Sequence, residues 1–320
     1  MFLDVIKLAL AGLMVVGDLF GATYANLEVL NMAKKLGIND PNQIRIHNPA
    51  ASKELDLPDI DLSNIAPYEI DPLSYPIIEA TSAVVIDVDT SAILYTKNAD
   101  EQRAMASVTK LMTAVVALDN IDMGEVITIA AADTNVEPVV MGLLPGEEIY
   151  AGEVLKGLLI KSGNDAALTL ARVGGDGSVD SFIGSMNQKA AKLGLRNTHF
   201  VNPHGLDADG QYSSARDLAL LAKYAMQNPT IVDIVRTKEM TVTSVSGDVS
   251  HYLQTTNELL DSYLNVQGVK TGFTDNAGQV LITQAEKDGH RVMAVVMNSP
   301  DRFQESKILL DWGFNNFYWE

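Results

Sequence analysis

Hydrophobic residues recur along this chain with two different periods, and the changes of period mark out its elements. Between residues 107 and 118, Val108, Leu111, Met112, Val115, Val116 and Leu118 stand at helical spacing with alanines filling much of the rest. That spacing predicts a helix buried on most of its sides. Ahead of it, residues 83–87 and 92–95 are short β-rich runs around Asp89-Thr90-Ser91, the pattern of a hairpin. Residues 152–228 carry helical patterns such as Val154-Leu155-Lys156-Gly157-Leu158-Leu159. Strand signals return at residues 268–273, and residues 279–285 and 291–298 read as a second hairpin across Lys287-Asp288-Gly289. A helix over residues 304–312 closes the pattern. Strands near both ends with helices between them predict an α+β domain over residues 77–320, in which an antiparallel sheet drawn from distant strands is flanked by helices and carries an inserted helical lobe.

Upstream of residue 77 this patterning is lost. Residues 26–76 are polar and proline-punctuated, as in His47-Asn48-Pro49, and read as a linker with one short helix near residues 27–36. Residues 1–25 hold an apolar run whose strongest part, residues 8–16, has the length of a signal-peptide core. Asp4 offsets Lys7 and Asp18 interrupts the run, so a signal peptide, a retained N-terminal membrane anchor and a buried helix all stay open. The first two place the domain outside the cytoplasm, in the periplasm or on the outer face of the membrane, secreted or held there by this segment.

Composition narrows the partners. With 41 acidic and 23 basic residues the formal charge is -18, which repels phosphate backbones, and no nucleic-acid partner is expected. No cysteine is present, which excludes disulfides, thiolate metal sites and a cysteine nucleophile. The five histidines show no H-E-x-x-H pattern, and His199 and His204 are poorly spaced for one helix face, so neither a metal nor a cofactor is expected. Gly174-Gly175-Asp176-Gly177-Ser178 lacks the G-K-[ST] of a phosphate loop and reads as a helix terminus and turn.

The chemistry starts at Lys110, the only charged side chain between residues 107 and 118. Ser107 and Lys110 are three apart, so on a helix they share a face and meet. A serine hydroxyl is a poor nucleophile until a base takes its proton, and a neutral lysine serves if burial, a helix N-terminus or a second cation lowers its pKa from about 10.4. A solvated lysine is the alternative reading. Ser162-Gly163-Asn164 follows the apolar run Leu158-Leu159-Ile160 and alone reads as an ordinary helix cap. Lys270-Thr271-Gly272 sits in a strand-like segment where the glycine permits close backbone approach. Each motif is weak by itself, but S-x-x-K, S-x-N and K-T-G in this order on helix, loop and strand form one known signature.

The stretch from residue 77 to residue 317 resembles the D-alanyl-D-alanine carboxypeptidases among the low-molecular-mass penicillin-binding proteins. The likeness extends to Ala106-Ser107-Val108-Thr109-Lys110, Ser162-Gly163-Asn164-Asp165-Ala166-Ala167, Asn202-Pro203-His204-Gly205-Leu206 and Leu310-Asp311-Trp312-Gly313-Phe314. It implies a serine-type carboxypeptidase, with a β-lactamase/transpeptidase-like fold, that removes the terminal D-alanine of peptidoglycan stem peptides through an acyl-enzyme, with β-lactams as covalent inhibitors. Ser107 would attack, Lys110 would take its proton and Ser162 would relay a proton to the leaving amine. Asn164 would hold the substrate amide. Lys270 and Thr271 would bind the terminal carboxylate, Gly272 would keep the strand close, and the Phe273 N–H would pair with that of Ser107 as the oxyanion hole. Arg302 is a further candidate for the carboxylate or a surface arginine, and His204 is assigned to holding its loop. A D,D-endopeptidase uses the same machinery. A class A β-lactamase needs an added glutamate, absent after Asn164 until Glu239, and a wall-binding protein without activity has no use for intact motifs. The chain ends soon after Phe314, so membrane attachment is expected at the N-terminus.

Overall fold

A computed structural model describes residues 66–319. The expected signal peptide or anchor at 1–25 and the linker up to residue 65 lie outside the described residues. Among these, no helix is long and apolar enough to cross a membrane.

In chain order the domain opens with a short strand β1 (Tyr68–Glu69), then β2 (Ser82–Asp87) and β3 (Ile93–Lys97), the expected first hairpin. A 3-10 turn (Ala106–Thr109) leads into α1 (Lys110–Asn120). The strands β4 (Val126–Thr128) and β5 (Glu148–Tyr150) precede α2 (Ala151–Ile160), α3 (Asn164–Gly174) and α4 (Val179–Lys192). After a loop come α5 (Ala215–Ala225), α6 (Pro229–Val235) and the hairpin of β6 (Glu239–Thr243) and β7 (Ser250–Gln254). Last are β8 (Val266–Thr274), β9 (Gly278–Lys287), β10 (His290–Ser299), α7 (Arg302–Asn316) and β11 (Phe317–Tyr318).

The main sheet is antiparallel, in the order β3-β2-β10-β9-β8. Strands from both ends of the sequence meet where β2 pairs with β10, Ile86 opposite Met293 and Val84 opposite Val295. Those four side chains join the core shared with the helical lobe, while Ala83, Val85, Ala294 and Val296 point the other way, onto Leu309, Leu310 and Phe314 of α7. Because helices cover both faces, β2 is buried along its whole length and reads as a continuous apolar run rather than an alternating one. The α+β class, the sheet and the inserted lobe agree with the sequence reading.

Three features differ from it. The pairs β4/β5 and β6/β7 were not anticipated; each strand of the first pair buries one residue, too little apolar contrast to register as period two. The body also takes in residues upstream of Ile77, since β1 pairs with β11 and Trp312 Nε1 donates to the Ser74 carbonyl (2.9 Å). Finally, the helix expected from Ser107 begins as a 3-10 turn. That matters at the site: 3.0 residues per turn eclipse positions i and i+3, which stacks Lys110 directly over Ser107.

Candidate active site

The strand β8 occupies the open edge of the main sheet, and the 3-10 turn bearing Ser107 is laid against it. Gly272 makes that approach possible: a Cβ there would stand 3.0 Å from Ala106 Cβ and 3.1 Å from Ser107 N. The close approach is thus between the strand and the Ser107 turn itself. Gly205 has the same function from the other side. It adopts φ +89°, and a Cβ would strike the Ala106 carbonyl oxygen at 2.0 Å, so the 202–206 loop rests on the turn only with glycine there.

Lys110 is fully buried, and its Nζ lies 2.8 Å from Ser107 Oγ while donating to the His204 carbonyl at 2.6 Å. Burial, and next the positive charge of Lys270, hold its pKa well below the ordinary lysine value; Asp165 opposes them. A neutral amine has two N–H groups and one lone pair. With one N–H committed to His204, the lone pair is free to accept the serine proton. His204 contributes through its backbone. Its ring, held by burial and the neighbouring Lys110 charge at a pKa of about 4, accepts from the Leu206 N–H through Nδ1 (3.2 Å) and so stays neutral while it shapes the loop.

Ser162 reaches the same cleft from the turn between α2 and α3. It sits at φ +65°, a left-handed conformation that costs a non-glycine residue about 1 kcal/mol or more and marks a side chain held for a purpose. Its Oγ accepts from Lys270 Nζ at 2.8 Å. Lys270 is buried too, and burial followed by the charge of Arg302 lowers its pKa to about 7. Arg302, at the start of α7, donates from Nη1 to the Gly272 carbonyl (2.8 Å), while its buried Nε has no partner. Neither Lys270 nor Arg302 joins an ion pair among the described residues. Two adjacent cations with no carboxylate in ion-pair contact, Glu258 acting on Arg302 only through its more distant charge, are suited to hold an anionic group. The nine residues singled out from the sequence therefore lie on the 3-10 turn and the start of α1, the turn before α3 and the start of α3, strand β8 and the start of α7, with Arg302 against β8 beside the carboxylate candidates rather than apart on the surface.

Asn164 has a second use that its motif does not reveal. Its Nδ2 donates to the Glu137 carbonyl and its backbone N–H to that of Val139, both at 2.8 Å, which leaves Oδ1 as an acceptor for a substrate amide.

The sequence reading missed the groups that hold these residues still. Asp165 is buried, and its carboxylate accepts from the backbone N–H groups of Met141 (2.7 Å), Gly142 (2.8 Å) and Leu143 (3.1 Å), pinning residues 141–143 beside the S-x-N turn. An acidic residue in the first turn of a helix reads as a dipole partner, and nothing in its spacing tells of a loop more than twenty residues upstream. Thr113 Oγ1 donates to the Pro203 carbonyl (2.6 Å) and Gln211 Nε2 to Thr109 Oγ1 (3.1 Å), tying the 202–211 loop to the 3-10 turn and α1. No group of three or more residues suited to hold a metal ion occurs among the described residues.

Residues 71–301 match the model of the peptidase S11 family, described as D-alanyl-D-alanine carboxypeptidase. The chain is similar to the D-alanyl-D-alanine carboxypeptidase DacF of Bacillus subtilis (strain 168), 38% identical over 247 residues that cover 75% of this chain and 63% of the relative. It is likewise 38% identical over 257 residues to DacA of Escherichia coli (strain K12), covering 76% of this chain and 62% of that protein. It thus spans less than two thirds of the length of these relatives. Among solved structures, the Streptomyces K15 DD-transpeptidase superposes with a TM-score of 0.73 at 35% identity, covering 76% of this chain and all of that one.

Proposed function

The chain belongs to the D-alanyl-D-alanine carboxypeptidase family, and from that premise we propose that it removes the terminal D-alanine of peptidoglycan stem peptides by way of an ester on Ser107. The observation that carries this reading is the contact between a buried Lys110, held well below its usual pKa, and Ser107 Oγ at 2.8 Å.

The steps follow from the groups in place. Ser107 gives its proton to the neutral Lys110 amine and attacks the carbonyl of the penultimate D-alanine. The N–H groups of Ser107 and Phe273 receive the developing oxyanion; removing one such donor typically costs about 100- to 1000-fold in rate. Lys110 returns the proton through Ser162 Oγ to the leaving amine, and D-alanine departs. Lys270, Thr271 and Arg302 hold its carboxylate, and charge on that carboxylate keeps Lys270 protonated. Water then cleaves the ester with Lys110 again as base. A β-lactam acylates the same serine. None of the side chains hydrogen-bonded to Ser107, Lys110 or Ser162 is a glutamate, so the penicilloyl ester is expected to persist rather than turn over as in class A β-lactamases.

The substrate is extracytoplasmic, and the apolar run at residues 8–16 supports export, or retention on the outer face of the membrane, as the route to it. The Streptomyces K15 enzyme is named a DD-transpeptidase, and an amine in place of water would give transfer from the same acyl-enzyme.

The test is incubation of the protein with a fluorescent penicillin and, separately, with diacetyl-lysyl-D-alanyl-D-alanine, with and without an amino-acid acceptor. Stable labelling and D-alanine release, both lost in Ser107→Ala, are expected. Rapid penicillin hydrolysis without D-alanine release would replace this reading with a lactamase, and no reaction at all would leave a binding protein.

A further inference from the structure

Thr271, the neutral member of the proposed carboxylate receptor, has a partner on a separate segment. Its Oγ1, buried in β8, shares a hydrogen bond of 2.5 Å with Thr256 Oγ1. Neither hydroxyl bonds to any other group among the described residues. Thr256 stands in the bend between β7 and a 3-10 turn (Glu258–Asp261), and that bend is fixed on both sides. The Thr255 N–H donates to the Lys238 carbonyl at 2.7 Å and the Asn257 N–H to Thr255 Oγ1 at 3.2 Å. Asn257 Oδ1 caps the 3-10 turn by accepting from the Leu259 N–H at 3.1 Å. Leu259 is itself buried with Leu281 and Ala285 of β9, the strand next to β8. The Thr256 hydroxyl is thus delivered to Thr271 by a braced element, and the same segment carries Glu258, whose charge reaches Arg302.

The consequence follows from counting protons. A threonine hydroxyl has one proton and two lone pairs, and its rotor turns to suit its partners. A substrate carboxylate only accepts, so it needs the Thr271 proton aimed at it. Were Thr271 to donate to Thr256, that proton would be committed elsewhere. When Thr256 donates instead, it occupies one Thr271 lone pair and leaves the Thr271 proton for the carboxylate. Two such bonds in series polarise one another, a strengthening of about 10–30% per bond.

Resting on the carboxypeptidase reading, we infer that Thr256 is a positioning residue for the reaction: its hydroxyl donates to Thr271 Oγ1 and so turns the Thr271 proton toward the terminal carboxylate of the substrate. Thr256 acts through Thr271 and touches no reacting atom. Its effect therefore belongs to substrates that end in a free carboxylate, where the bond that it orients has a charged acceptor.

The experiment measures kcat and KM of the full chain for diacetyl-lysyl-D-alanyl-D-alanine and for its C-terminal amide, in the parent protein, Thr256→Val, Thr256→Ser, Thr271→Val and the Val/Val double variant. Thr256→Val is expected to lower kcat/KM for the acid by about 5- to 10-fold, chiefly through KM, to leave the amide unchanged within about twofold, and to add nothing once Thr271 is replaced. Thr256→Ser keeps the hydroxyl and is expected to stay within about twofold of the parent protein. Full activity of Thr256→Val on the acid overturns the inference. So do equal losses on acid and amide, an undiminished loss in the Thr271→Val background, or a serine variant as impaired as the valine one, each of which marks a structural role. In all these cases Ser107-dependent D-alanine release by the parent protein keeps the carboxypeptidase reading in place, whereas absence of that release overturns both. The extent of penicillin labelling counts the folded molecules of each variant, and Thr256→Ala, with a smaller side chain to accommodate, repeats the comparison if valine disturbs the bend.

Discussion

The two ends of the cleft carry opposite charge in opposite surroundings. At one end Lys110 and Lys270 are buried, and taking their charge out of water holds the pKa of Lys110 well below the ordinary lysine value and lowers that of Lys270 to about 7. At the other, Glu137, Asp207 and Asp275 line a cavity beside Phe273 and face solvent, where the same elementary charge is screened. Burial converts charge into reactivity at a cost in stability; exposure leaves it unreactive at almost none.

The largest effect that would break this contrast is at the buried end. Ser107→Ala is expected to abolish penicillin labelling, and Lys110→Met to slow acylation by about 10³- to 10⁴-fold, measured by stopped-flow labelling. A Lys110→Met protein that acylates at a near-normal rate would remove the lysine from the mechanism.

Next is the anion receptor. Lys270→Gln should lower kcat/KM for peptides ending in D-alanine by about 100-fold, and Arg302→Gln by about tenfold, with much of the second loss in KM. For a substrate whose terminal carboxylate is amidated, the difference between Arg302→Gln and the parent protein should nearly vanish.

Acidity sharpens the comparison further. In the proposed mechanism Lys110 acts when neutral, so kcat/KM is expected to rise as pH climbs through its lowered pKa. In the same mechanism Lys270 binds carboxylate when charged, and with its pKa lowered to about 7 kcat/KM is expected to decline again above that pH. The stability sign is opposite to that of a salt-bridged lysine. Between about pH 7 and the unfolded lysine value of about 10.4, the unfolded chain binds a proton that the native one has released, so stability rises with pH across this window and is lowest below it. The Tm of Lys270→Met, relative to the parent, should therefore be highest below pH 7 and lose its advantage toward pH 10.

The smallest effect is at the exposed end, where Asp275→Asn should move stability by no more than about 0.5 kcal/mol in urea unfolding. Asp165→Ala is the counterexample among the carboxylates. It leaves three backbone N–H groups without their acceptor, and a loss of about 3 kcal/mol is expected.

Much of the fold and site was legible because its signals are local. Apolar spacing over 107–118, two hairpins with clear turn residues, and three motifs whose members stand within three positions of one another report on neighbours in the chain. Less was legible where the partner is remote. The β4/β5 pair joins residues about twenty apart, with one buried side chain per strand, and Asp165 grips backbone amides whose residue types are immaterial.

Residue identity and order by themselves determined the fold class and the presence and order of the three motifs, because helix and strand periods and short motif spacings are properties of the chain alone. Tertiary structure alone decided how far the lysine pKa values fall, which carbonyl receives the second Lys110 proton, that Arg302 stands at the receptor, and that three scattered acidic residues line one cavity. Those are consequences of burial and of distances between residues about 30 to 190 positions apart, which loop closure sets and no local pattern encodes.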